Sequence, residues 1–213
     1  MRQEKLDIRQ KGSHPERSRR VNGFWLIAFF FLIITSCTQA QNDSNMINED
    51  IEYPEGLEIH SKAKELMNED FYWSPIEESG PFGSDAGSDA FSTFVEWRTT
   101  NKQMSVVVFI NALLDEWEYP KLDFNTLDSS ELSKEIEEGS GRFRLEIDNV
   151  IIASGFGQFV IEGKIDEDIK QLTENALQRQ LSDVSLKNWD DEYRKLRELQ
   201  LRKMMKVLIK MNK

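Results

Sequence analysis

Followed from its start, the chain shows an unbroken apolar run first and a helical rhythm only afterwards. Residues 24–34 are eleven apolar residues without a charge. As a helix that run is about 16 Å long, half of the ~30 Å hydrocarbon thickness of a bilayer. From residue 51 onward, apolar positions recur every three or four residues, and no stretch gives a convincing hairpin. Ala63, Leu66 and Met67 share one side of a helix expected over 58–68. Phe91, Phe94 and Val95 do the same over 88–98, with Ser88 as the N-cap. Val108, Ile110, Leu113, Leu114 and Trp117 mark a helix over 105–117 that Pro120 ends. Asp128-Ser129-Ser130-Glu131 has the pattern of a capping box and opens a short acidic helix to residue 138, after which Gly139-Ser140-Gly141 breaks the chain.

Residues 148–162 carry two competing rhythms. Val150-Ile151-Ile152 favours a strand, whereas Ile152, Phe156, Phe159 and Val160 fall at i, i+4, i+7 and i+8 and favour a helix. Gly155 and Gly157 each lower helix propensity by about 1 kcal/mol but let a second helix approach closely. The helix is the expected form, ending at Gly163. Asp166 caps another helix to residue 180, and a last one runs from about 188 to the C-terminus. The expected fold class is therefore mainly α: a compact multi-helix domain over 51–213.

What precedes that domain sets its compartment. The apolar run is too short to span a membrane and has the size of a signal-peptide core, with Arg17, Arg19 and Arg20 as the positive region before it. Ile34-Thr35-Ser36-Cys37 follows, an aliphatic residue and two small ones ahead of a cysteine. This resembles the bacterial lipobox. The resemblance implies that residues 1–37 hold the signal peptide and lipobox, that Cys37 is the lipid-attachment site, and that the membrane is a partner through that anchor. Cys37 is the sole cysteine of the chain. Two or three acyl chains at ~0.8 kcal/mol per buried CH₂ anchor a protein permanently. Residues 38–50 are polar and without apolar period, a flexible tether. Thr38 stands where an inner-membrane retention signal would place Asp, so the expected location is the cell envelope at the outer membrane.

Charge narrows the partners. The 213 residues hold 27 Lys and Arg against 38 Asp and Glu. Cleavage before Cys37 leaves 20 bases and 35 acids, a net charge of −15. A polyanion calls for a basic face, so nucleic acid is not an expected partner, whereas a basic protein is. Residues 194–213 reverse the trend, with eight bases and one acid. Leu201, Met204, Met205, Leu208 and Met211 give that stretch an apolar stripe, so it is expected to dock on the acidic body.

One segment looks functional. Between the first two helices, residues 73–91 concentrate Gly, Pro, Asp and aromatics. Ser74-Pro75-Ile76-Glu77 reads as a capping box that starts a helix. Glu77, Glu78, Asp85 and Asp89 are the candidate ligand-binding acids, with Trp73 and Trp97 as walls and Arg98 pairing with Asp89 or Glu96. The same acids are the alternative reading, a metal-binding or cation-dependent catalytic loop over 77–89. Counted from Asp85, Gly87 and Ala90 do not fit an EF-hand. No phosphate-binding loop or nucleophile elbow is present, and 155–160 departs from a dinucleotide fingerprint at Val160. Nothing in the motifs calls for a cofactor or supports catalysis.

Residues 63–67, 71–98 and 155–180 resemble a YfeS-like group of uncharacterised bacterial proteins. The shared pattern is Trp-Ser-Pro-Ile-Glu-Glu, then Pro-Phe-Gly-Ser-Asp-x-Gly-Ser-Asp, then a helix before Gly163-Lys164-Ile165. It covers most of residues 58–200 and implies a compact, mainly helical domain. More loosely, 82–89 is similar to loops of small helical proteins encoded near toxin–immunity loci. The expected role is a membrane-anchored binding domain, in one version an immunity-type protein that meets a basic toxin through its acidic surface.

Overall fold

A computed structural model describes residues 57–212. The leader over 1–37, Cys37 itself and the tether over 38–50 lie outside the described residues. Within them the chain is mainly helical, with no strand. The helices are α1 (Ser61–Leu66), α2 (Asp85–Thr100), α3 (Val106–Glu116), α4 (Ser129–Glu137), α5 (Gly141–Glu162), α6 (Glu167–Gln180), α7 (Asp183–Leu186) and α8 (Asp191–Leu208), and a 3₁₀ turn occupies Asp70–Tyr72. Among the described residues no helix is long and apolar enough to cross a membrane.

The ambiguous stretch is the centre of the fold. Every residue from Val150 to Val160 is buried, so α5 is covered on all sides by α1, α2, α3, α4 and α6. A helix that is apolar all round belongs in a core, and burial there outweighs the strand preference of Val150-Ile151-Ile152. The helix starts seven residues before the expected 148, at the Gly139-Ser140-Gly141 break, and it stops where expected. Gly163 takes a left-handed φ of 65° and donates its N–H to Phe159 O at 2.9 Å. The two glycines inside α5 are contact points. A Cβ on Gly155 would lie 2.2 Å from Thr173 Oγ1 of α6, and one on Gly157 would lie 2.9 Å from the Phe91 ring of α2.

Local chemistry moves several helix ends. His60 caps α1, its Nδ1 accepting from Lys62 N at 3.2 Å, so that helix covers only the middle of 58–68. Ser84, not Ser88, caps α2, its Oγ accepting from Gly87 N at 3.1 Å. In α3 it is Phe109, not Val108, that turns into the core. Asp128 caps α4 as its pattern predicts, accepting from Ser130 N and Glu131 N. The last helix, α8, starts three residues after the expected 188, where Asp190 takes the N–H groups of Glu192 and Tyr193, and short α7 lies ahead of it. The apolar stripe of α8 faces inward through Leu201, Met204 and Leu208.

Candidate functional site

The loop before α2 is not the helix start that Ser74-Pro75-Ile76-Glu77 predicts. Gly80, Pro81 and Gly83 follow too closely, and the chain turns back on itself. Glu77 O accepts from Gly80 N at 2.7 Å, and a Cβ on Gly83 would sit 2.1 Å from that same carbonyl oxygen. Ser79 Oγ lies within hydrogen-bond reach of Glu77 Oε1, at 3.0 Å, and of Gln200 Oε1, which pins the loop to α8. The candidate residues do not converge. Asp85 and Asp89 point to solvent from the first turns of α2, and Glu78 is exposed. No group of three or more His, Cys, Asp or Glu among the described residues is placed to hold a metal ion. Trp73 Nε1 donates to Met67 O at 2.6 Å, and Trp97 packs on Phe94 and Phe109 with ring centroids 6.1 and 5.3 Å away.

Arg98 also has a different partner from either acid expected. Its Nε donates to Glu162 Oε1 at 2.5 Å and its Nη1 to Met104 O at 2.5 Å, which ties the end of α2 to the end of α5. Its guanidinium carbon also lies 5.8 Å from the centroid of the buried Phe94 ring, one turn back on α2. Arg98 is a strut.

The chemistry that is brought together lies at the other end of α5. A cavity of about 380 Å³ opens between α4, the start of α5, the end of α6, the α7–α8 connection and α8. Leu132, Ile136, Leu145 and Trp189 form its apolar wall, and Glu135, Arg142, Arg144, Asp148, Gln180 and Arg197 supply charge and polarity. That volume is at the small end of the ~300–1,000 Å³ range of ligand pockets.

Most of the charge there is neutralised in pairs. Arg144 clamps Glu135 in a two-pronged contact, Nη2 to Oε1 at 2.6 Å and Nε to Oε2 at 2.8 Å. Arg179, behind the cavity, holds Asp148 with Nη2 and Nε at 2.7 and 3.0 Å from Oδ1, and its Nη1 donates to the carbonyls of Phe124 and Thr126. Burial pushes the Asp148 carboxyl up to about 6 while the Arg179 charge pulls it back. Arg142 pairs with Glu146 at the rim, 2.7 Å apart.

Arg197 is the exception. Its side chain is among the largest fully enclosed ones, the residue being 2% exposed, yet no carboxylate among the described residues pairs with it. Nη2 donates to the neutral Gln180 Oε1 at 2.7 Å, and Gln180 is itself oriented by donating Nε2 to Asn149 Oδ1 at 2.9 Å. The guanidinium carbon lies 4.7 Å above the centroid of the Trp189 ring, itself packed on Tyr193. Burial lowers the guanidinium pKa below the ordinary arginine value; the Tyr193 oxygen and the Glu78 and Glu77 carboxylates act on it in the opposite sense. No hydrogen bond of normal geometry joins the Tyr193 hydroxyl to anything, although it is buried. Glu77 and Glu78 therefore do bear on a cation, through space, and it is this arginine rather than a metal.

Sequence reasoning missed Arg144, Asp148, Arg179 and Arg197. The signal was present for Arg197, which interrupts the inward stripe of α8 at the register of Leu201, Met204 and Leu208. The chain matches no protein-family model, no curated protein and no solved structure.

Proposed function

We propose that the protein is a membrane-anchored binding domain whose recognition site is the cavity between α4, α5 and α8. The observation that carries this reading is Arg197, a buried cation on the cavity wall that forms no ion pair among the described residues: Gln180 Oε1 and the Trp189 face hold it directly, and Glu77 and Glu78 act on it only through space. Burying a charge without an opposite charge costs several kcal/mol, which a bound anion offsets. The anchoring half of the reading rests on the lipobox and Cys37. The envelope location, the outer membrane and the YfeS-like kinship belong to the same proposal and are supported by the motifs quoted above.

Two measurements test it. Mass spectrometry of the protein isolated from its own membranes should find a chain beginning at Cys37 with a diacylglyceryl thioether, and an unmodified thiol would remove the anchor. Ligand-observed NMR of a small-fragment library should give binders to the wild-type protein that Leu145→Trp, which fills the cavity, no longer takes up. A library without one such binder would remove the site.

A further inference from the structure

We infer that the cavity receives a small organic monoanion, a carboxylic acid with a compact apolar body, whose carboxylate meets Arg197 while its body lies against Trp189, Leu132 and Leu145. The inference rests on the cavity being the binding site and specifies what binds there.

Three features set the class. The first is charge. Glu135 and Asp148 on the wall are each held by an arginine, and Arg142 is held by Glu146, so Arg197 is the wall cation without a direct ion pair among the described residues, Glu77 and Glu78 acting on it only through space. One such cation suits a monoanion. A phosphate dianion would bring a second negative charge beside the Glu135 and Asp148 carboxylates, with no second free cation on the wall to meet it.

The second is geometry. A guanidinium is a planar fork with five N–H donors, and Gln180 takes one of those on Arg197. The remaining edge suits the two parallel hydrogen bonds of a carboxylate, and Trp189 and Gln180 hold the fork in place before anything binds. Preorganisation of this kind reduces the ordering cost of association.

The third is the wall itself, which is mostly hydrocarbon and indole. An acid as small as formate would leave that surface wet. A body of one ring or about six carbons covers it, and each buried CH₂ contributes about 0.8 kcal/mol.

The test uses the full-length protein in detergent, with benzoate and hexanoate as probes and benzyl alcohol and inorganic phosphate as controls. Binding is read by calorimetry and by the rise in melting temperature. The expected result is saturable binding of benzoate or hexanoate, at least tenfold weaker in Arg197→Met, with both controls weaker than the acids in the wild type. Arg197→Lys is the second variant: it keeps the charge without the fork and should bind with intermediate affinity. Benzyl alcohol binding as well as benzoate, with Arg197→Met indifferent, would overturn the anionic class and leave the binding site standing. Phosphate binding better than the acids would overturn the monoanion. If no probe binds, the inference falls; the binding site itself then falls only if the fragment library also yields nothing that Leu145→Trp excludes.

Discussion

At the scale of single residues, the fold spends its buried arginines in two ways. Arg98, Arg144 and Arg179 each pair with a carboxylate on another helix, while Arg197 pairs with none among the described residues. The two kinds should respond oppositely to the same substitution. Arg179→Met leaves Asp148 buried without a counter-charge and should cost about 3–5 kcal/mol in chemical denaturation. It should also move the Asp148 titration upward from about 6, since the downward pull comes from Arg179. The sign of the wild-type pH dependence follows from the same carboxyl. Its folded pKa lies above the ordinary 3.8, so the folded state holds the proton more firmly and this group's share of stability falls as pH rises from about 4 to about 6. Asp148→Asn should remove that slope, as followed by urea midpoints across the interval.

At the scale of elements, α5 shows both what the sequence made legible and what it hid. The helical spacing of Ile152, Phe156, Phe159 and Val160, the stop at Gly163 and the close approaches at Gly155 and Gly157 were all readable, because helix packing leaves a periodic trace. The true start at Gly141 was obscured: Arg144 and Asp148 are polar residues in buried register, and their partners Glu135 and Arg179 are set by tertiary contacts rather than by spacing. The same blindness misplaced Arg98, whose partner Glu162 is on another helix, and turned Ser74-Pro75-Ile76-Glu77 into an expected helix start where the Gly80–Gly83 crossing prevails. The tight approach of α5 to α6 gives a sharp expectation. Gly155→Ala would raise helix propensity by about 1 kcal/mol in isolation. Here the new methyl meets Thr173 Oγ1, which is tied to Ile169 O at 2.8 Å on a stiff β-branched side chain. Overpacking of this kind costs about 1–3 kcal/mol, so the variant should be less stable than wild type in urea. A more stable Gly155→Ala would mean that α6 can yield.

At the scale of the whole molecule, an acidic chain holds a cavity whose wall carries Arg142, Arg144 and Arg197 against Glu135 and Asp148. The net charge is −11 over 213 residues; Asp85 and Asp89 are exposed on α2, and Glu77 and Glu78 act through space on Arg197. A field of that sign slows the approach of anions, so selectivity must come from contacts inside the cavity rather than from steering. The most direct measurement is the stability of Arg197→Met without any added ligand. A guanidinium kept for binding costs stability in the empty protein, and replacing it by an apolar side chain of similar length should leave the unfolding free energy within about 1 kcal/mol of wild type or raise it. A loss of about 3 kcal/mol or more, as expected for Arg179→Met, would make Arg197 a structural strut and leave the cavity without its recognition group.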